Sequence, residues 1–242
     1  MPNLPALHPA VGQPSLTAAG MRHHALMKPL LLGLVALLLA VGFAHLGSEV
    51  GEGDTLGFDL LLARGALSLR TDHPWLADVM RDWSGLGSTS VLALLTIITV
   101  GYLALDAAWT TVAVVSISTL AGTFLVSAFK FLFGRSRPGS ALTDFVESGM
   151  SFPSGHASMA AIVFLTLGTL LASTRVLQRE RTYILLVAAL LALLVGVSRV
   201  TLGLHWATDV LGGWAFGVAW AIAGLLFSQW LVLRDAPQEK QS

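Results

Sequence analysis

Three short clusters of polar residues interrupt an otherwise apolar chain, and each has the residue types to handle an anion or a proton. The first is Ser151-Phe152-Pro153-Ser154-Gly155-His156, at the mouth of an apolar run from Ala157 to Thr174. Proline near a first helical turn costs no hydrogen bond, and its φ is already helical. Ser154 and Gly155 would then present backbone N–H groups at a helix N-terminus, where the dipole favours an anion. Glycine lets that anion approach closely. His156 follows, able to hold or give a proton near neutral pH. Alone, the six residues read equally well as a helix cap with an incidental histidine.

The second cluster is Lys130 and Arg137, two helical turns apart, with Pro138 next to stop the helix. On a continuing helix both cations would face the same way, offset by about 20°. Lysine brings a mobile point charge and arginine a planar fork for two anionic oxygens. Taken singly, either could be a cation snorkelling at a membrane border. The third cluster is Ser198-Arg199, then His205, then Asp209 four residues on. His and Asp at that spacing share a helix face. An aspartate there can accept the Nδ1 proton, leaving Nε2 bare, as a nucleophile or base requires. A purely structural His–Asp bond is the alternative.

These clusters need elements to hold them, and the composition says what kind. Of 242 residues, 55% are hydrophobic and only 12% charged, about half the charged share of soluble domains. That is the composition of an integral membrane protein. The charges balance at 14 basic and 14 acidic, so nothing suggests nucleic acid as a partner. Cysteine is absent, which excludes disulfides, cysteine nucleophiles and thiolate metal sites.

Residues 1–28 read as a flexible N-terminal tail ending in Arg22, His23, His24 and Lys28. Pro29 to Leu46 is too long for a signal-peptide core and reads as a retained first span. Residues 48–87 form one long polar, extracytoplasmic loop with short amphipathic stretches around Phe58 and Trp75. Asp59, Arg64, Arg70 and Arg81 fall here; a solvated connector is the default reading, and a packing or lid role is the alternative. Further spans cover about 88–105, 110–133, 155–174, 182–198 and 205–233, and 234–242 is a C-terminal tail. Trp206 and Trp230 are placed to mark the two interfaces, and Gly213 and Gly217 form a G-x-x-x-G packing pair. The expected fold is all-α: one polytopic membrane bundle of about six transmembrane helices, 29–233, with both termini on one side.

With alternating spans, all three clusters reach the same side of the membrane. With the termini inside, inner segments carry Arg22, Lys28, Arg175, Arg179, Arg181, Arg234 and Lys240. Outer segments carry Arg64, Arg70, Arg81, Lys130, Arg135, Arg137 and Arg199, also seven. Setting aside Lys130, Arg137 and Arg199 as site residues leaves seven against four, and the positive-inside rule then puts the clusters outside. Three fixed cations with backbone donors suit a phosphoryl group, whose transition state spreads charge over equatorial oxygens. No carboxylate cluster suits a divalent metal; Asp144 and Glu147 read as solvated loop residues.

In order and spacing, Lys130-x6-Arg137-Pro138, Pro153-Ser154-Gly155-His156 and Ser198-Arg199-x5-His205-x3-Asp209 resemble the three signature motifs of the type 2 phosphatidic acid phosphatase family. The motif core covers about 80 residues, and the six-helix layout extends the likeness over most of the chain. The resemblance implies hydrolysis of lipid phosphates through a phosphohistidine, with no metal or other cofactor. In that scheme His205 attacks phosphorus, Asp209 orients it, and His156 protonates the leaving oxygen. Lys130, Arg137, Ser154, Gly155 and Arg199 hold the phosphate. The partners implied are the bilayer and a lipid phosphate: undecaprenyl diphosphate, phosphatidylglycerophosphate or phosphatidate. The membrane implied is a bacterial inner membrane, with the site on its extracytoplasmic face. Competing readings are a lipid phosphotransferase using the same site and a small transporter. A transporter would spread ionisable residues through several spans, whereas here they gather at one face.

Overall fold

The computed structural model describes residues 16–143 and 148–235, all helix and connection. These described residues form eight helices in order: α1 (Leu16–Glu52), α2 (Leu56–Asp72), α3 (Trp75–Leu86), α4 (Thr89–Leu105), α5 (Trp109–Phe133), α6 (Gly155–Ser173), α7 (Gln178–Thr201) and α8 (Ala207–Asp235). Among the described residues, six segments are long and apolar enough to cross a membrane: Met27–Glu52, Trp75–Leu105, Trp109–Phe133, Gly155–Ser173, Gln178–Thr201 and Ala207–Val232. The outer surface agrees, since Leu105, Phe131 and Leu120 are largely exposed, as side chains facing hydrocarbon should be.

Helix α6 sits at the centre and packs against α7 and α8, with α1 lying on α8 and α3 on α7. Small residues make the close approach of α6 and α8 possible. A Cβ added at Gly217 would lie 2.6 Å from the Ser158 carbonyl and 2.7 Å from the Ala161 Cβ, so the G-x-x-x-G pair is a packing seam. Two apolar clusters fill the interior. One joins Leu92, Ala160, Ala161, Val163, Phe164, Ala188, Ala192 and Val195. The other is aromatic: Phe152 is fully buried, stacked on Phe43 at 5.6 Å and edge-on to Phe133 at 4.9 Å. It wedges the segment before α6 against α1 and α5.

Several expectations need correcting. Helix α1 begins at Leu16, inside the stretch read as a tail, and runs past Leu46 to Glu52; residues 1–15 and 236–242 lie outside the described residues, as do Asp144 and Glu147. The 48–87 loop is mostly two helices, and α2 is no solvated connector. Asp59, Ala63, Ala66 and Arg70 are buried at helical spacing along one of its faces. Trp206 marks no interface. It is buried, its indole N–H donates to the Ser136 carbonyl at 2.9 Å, and the Arg135 guanidinium lies over its ring at 5.6 Å.

Candidate active site

The site is built where α5, α6, α7 and α8 end together, with α2 and α3 packed against them. Helix α5 stops sooner than the spacing of Lys130 and Arg137 suggested. Gly134 adopts a left-handed conformation at φ 59°, closing the helix with its N–H on the Lys130 carbonyl. This is a glycine-terminated helix end. Lys130 therefore stands on the last helical turn and Arg137 in the extended segment beyond it, not on a shared face. They still serve one region. Lys130 Nζ donates to the Met150 carbonyl at 2.7 Å; Arg137 donates to the carbonyls of Gly149 at 3.1 Å and Leu204 at 2.9 Å.

Helix α6 begins at Gly155, capped by Ser154, whose hydroxyl accepts from Ala157 N–H. The N–H of Ser154 itself is not aimed at an anion, because it donates to the Asp209 carbonyl at 2.9 Å. That bond instead docks the start of α6 on the start of α8. His156 and Gly155 line a cleft with Lys130, whose Cε lies 3.7 Å from where a Gly155 Cβ would be. The cleft, about 420 Å³, runs between α4, α5 and α6 past Leu92, Ala93, Leu120 and Val126.

His205 lies just before α8, outside the helix, yet it meets Asp209 as their spacing suggested. Its Nδ1 is 3.3 Å from Asp209 Oδ2. That oxygen also accepts from Trp206 N–H at 2.8 Å and from the Ser151 hydroxyl. On the other side of the ring, Nε2 lies 3.1 Å from Arg137 Nη1. Guanidinium can only donate, so this contact requires an unprotonated Nε2, and the ring proton sits on Nδ1 toward Asp209. His205 is almost fully buried. Burial pushes its pKa from 6.5 down to about 4, against the hydrogen bond and charge of Asp209, with Arg137 and Arg199 lowering it further. The result is a neutral imidazole presenting a lone pair beside a cation at neutral pH. Arg199, in the last turn of α7, is 4% exposed and donates to Ser84 Oγ of α3 at 2.9 Å.

Other residues here had no role in the motif pattern. Arg135, counted above only as an outer charge, bridges Asp59 Oδ2 at 2.5 Å and Asp209 Oδ1 at 2.6 Å. Arg70 donates to the carbonyls of Leu142 at 2.8 Å and Thr201. The stripe Asp59-Ala63-Ala66-Arg70, at steps of four, three and four, was the available signal for this buried face.

A carboxylate-oriented neutral imidazole facing the guanidinium groups of Arg137 and Arg199 can attack phosphorus. The sequence profile of the PAP2 superfamily matches residues 110–233, which hold all three clusters. The chain belongs to the PAP2 superfamily. Phosphatidylglycerophosphatase B of Bacillus subtilis (strain 168) is 32% identical to it over 199 residues, 79% of this chain and 90% of that protein. The crystal structure of the transmembrane PAP2-type phosphatidylglycerolphosphate phosphatase from Bacillus subtilis superposes with a TM-score of 0.73 at 29% identity. That match covers 81% of this chain and 96% of that one. The crystal structure of Aquifex aeolicus LpxE gives 0.54 at 30% identity, covering 69% and 93%. This PAP2 protein is an integral membrane lipid phosphatase.

Proposed function

We propose that the chain releases phosphate from a phosphate monoester of the phosphatidylglycerophosphate type, through a phosphohistidine at His205. The observation that carries this is the His205 ring, with Nδ1 held by buried Asp209 and Nε2 facing Arg137. In the first step Nε2 attacks phosphorus and the bond from phosphorus to the lipid oxygen breaks. His156 gives its proton to that oxygen. In the second step the now neutral His156 takes a proton from water, whose oxygen attacks phosphorus as the bond to Nε2 breaks. Inorganic phosphate leaves and both histidines are restored. Asp209 keeps the Nδ1 proton in place throughout and offsets the positive charge on the ring. Lys130, Arg137 and Arg199, with the Ser154 hydroxyl and Gly155 N–H, hold the equatorial oxygens as charge develops. Nothing in this sequence of steps calls for a metal.

The substrate class draws support from the Bacillus subtilis relative, which matches over nearly its whole length. The mostly apolar cleft beside Lys130 and His156 gives acyl chains a path from the bilayer to the phosphate. For orientation, the buried bonds of Arg70 and Arg135 remove two more outer cations from the topological count. That favours the site on the extracytoplasmic face of a bacterial inner membrane.

The test is phosphate release in nonionic detergent from phosphatidylglycerophosphate, phosphatidate and undecaprenyl diphosphate, with and without EDTA. Phosphatidylglycerophosphate should give the highest kcat/KM, unaffected by chelator, and His205→Ala should abolish it. Wild-type turnover by folded His205→Ala protein would refute the mechanism. A preference for the diphosphate would refute the substrate class.

A further inference from the structure

The motif residues account for the ring and its carboxylate, and leave unexplained why two further charged side chains, Arg135 and Asp59, are buried behind them. Arg135 is 11% exposed at its side chain, and Asp59 and Asp209 are fully buried. Burying an ion is costly unless it is paired with good geometry. Here the pairing is complete. Arg135 Nη1 donates to Asp209 Oδ1 at 2.6 Å and to Thr208 Oγ1 at 2.7 Å. Its Nη2 donates to Asp59 Oδ2 at 2.5 Å and to Thr55 Oγ1 at 3.2 Å. Asp59 in turn accepts the Thr208 N–H at 3.0 Å and the Thr208 hydroxyl at 2.7 Å. The two oxygens of Asp209 thus divide their work: Oδ1 faces Arg135, while Oδ2 faces His205 Nδ1, the Trp206 N–H and the Ser151 hydroxyl.

We propose that Arg135 and Asp59 are positioning residues: Asp59, carried in by α2, fixes Arg135, and Arg135 fixes the carboxylate that orients His205. This rests on His205 being the nucleophile. A guanidinium gripping Oδ1 restrains rotation of the carboxylate, so Oδ2 stays aligned with the ring. One cation between two carboxylates leaves the trio with a single negative charge, available to balance the ring when it becomes positive on phosphoryl transfer. An apolar tie between α2 and the bundle would anchor the helix without doing either.

The charged groups facing His205 are Asp209 from α8, Arg137 from the segment after α5, and Arg199 from α7; Arg135 and Asp59 act from behind Asp209. Charge changes there should move the acid limb of the rate profile in opposite directions. Arg135→Gln leaves Asp209 less compensated, favours the protonated ring and shifts the limb to higher pH. Asp59→Asn removes a negative charge and shifts it lower. Arg135→Lys keeps the charge without the fork, so the limb stays while kcat falls.

The test uses the full chain in detergent, with kcat, KM and pH profiles measured for these three variants and for His205→Ala. Loss of kcat should be about 10- to 100-fold for Arg135→Gln and about 10-fold for Asp59→Asn, the range found for groups that orient metal ligands through hydrogen bonds. KM should stay within about twofold, because no phosphate contact is touched. Should Arg135→Gln fail to fold, Asp59→Asn and Arg135→Lys decide the matter. Wild-type kcat and an unmoved profile in folded Asp59→Asn would overturn the proposal and leave a structural tie. Activity in His205→Ala would instead overturn the reading beneath it.

Discussion

Lowering the pH perturbs His205 most directly. Its ring is buried, which pushes its pKa from 6.5 down to about 4; the hydrogen bond and charge of Asp209 oppose this, and Arg137 and Arg199 add to it. As the proposed nucleophile, His205 must be neutral, so the free enzyme should lose kcat/KM only as the pH approaches 4. At pH 5 a histidine with a pKa of 4 is about 90% neutral, against about 3% for one at its ordinary value, a difference of roughly 30-fold. The assay is kcat/KM in nonionic micelles from about pH 3.5 to 9, with the second ionisation of the substrate phosphate, near pH 6, divided out. An alkaline limb should appear where His156 loses its proton, making a bell whose two apparent values belong to the coupled site. An acid limb near 6.5 would refute the reasoning, because the attraction of Asp209 would then cancel burial. The same proton links to folding. The unfolded chain binds it below about pH 6.5 and the folded chain only near 4, so stability should fall as pH drops through that window and be independent of this group above it.

Replacing His156 with Gln should lower kcat for the lipid with little change in KM, and the deficit should shrink with an aryl phosphate, whose leaving oxygen needs little protonation. Equal losses on both substrates would return His156 to a capping role. Gly217→Val should destabilise the protein by about 1–3 kcal/mol through overpacking, since its Cβ would fall 2.6 Å from the Ser158 carbonyl. A wild-type melting temperature in detergent would count against that seam. In a chain without native cysteine, Ser154→Cys and Thr201→Cys should lie outside, and Arg179→Cys inside. Thr201, the half-buried last residue of α7, should label with an impermeant thiol reagent in intact cells, whereas labelling of Arg179→Cys alone would reverse the orientation.

What could be read from the chain followed from local physics. Apolar runs of membrane-spanning length, separated by charged turns, gave the six spans, because hydrocarbon tolerates only segments whose backbone bonds are internal. The spacing from His205 to Asp209 brought those side chains together as local geometry requires, although His205 lies just outside the helix. The seam at Gly213 and Gly217 was legible for the same reason: neighbours four apart share a helix face.

Other features depended on which chain segments meet. The end of α5 at Gly134 turned on one residue taking a left-handed φ, and it moved Arg137 off the helix face it was expected to share with Lys130. The Ser154 N–H, open to an anion in the sequence, proved to be donated to Asp209, a residue 55 positions later. Trp206 looked like an interfacial anchor until the Arg135 segment was seen folded over it. Asp59 and Arg135 looked like two surface charges 76 residues apart. A lone charge reads as solvated because burying it is prohibitive unless a partner shares the cost. Only the packing of α2 against the start of α8 supplies that partner, and with it the ion pair behind the candidate nucleophile.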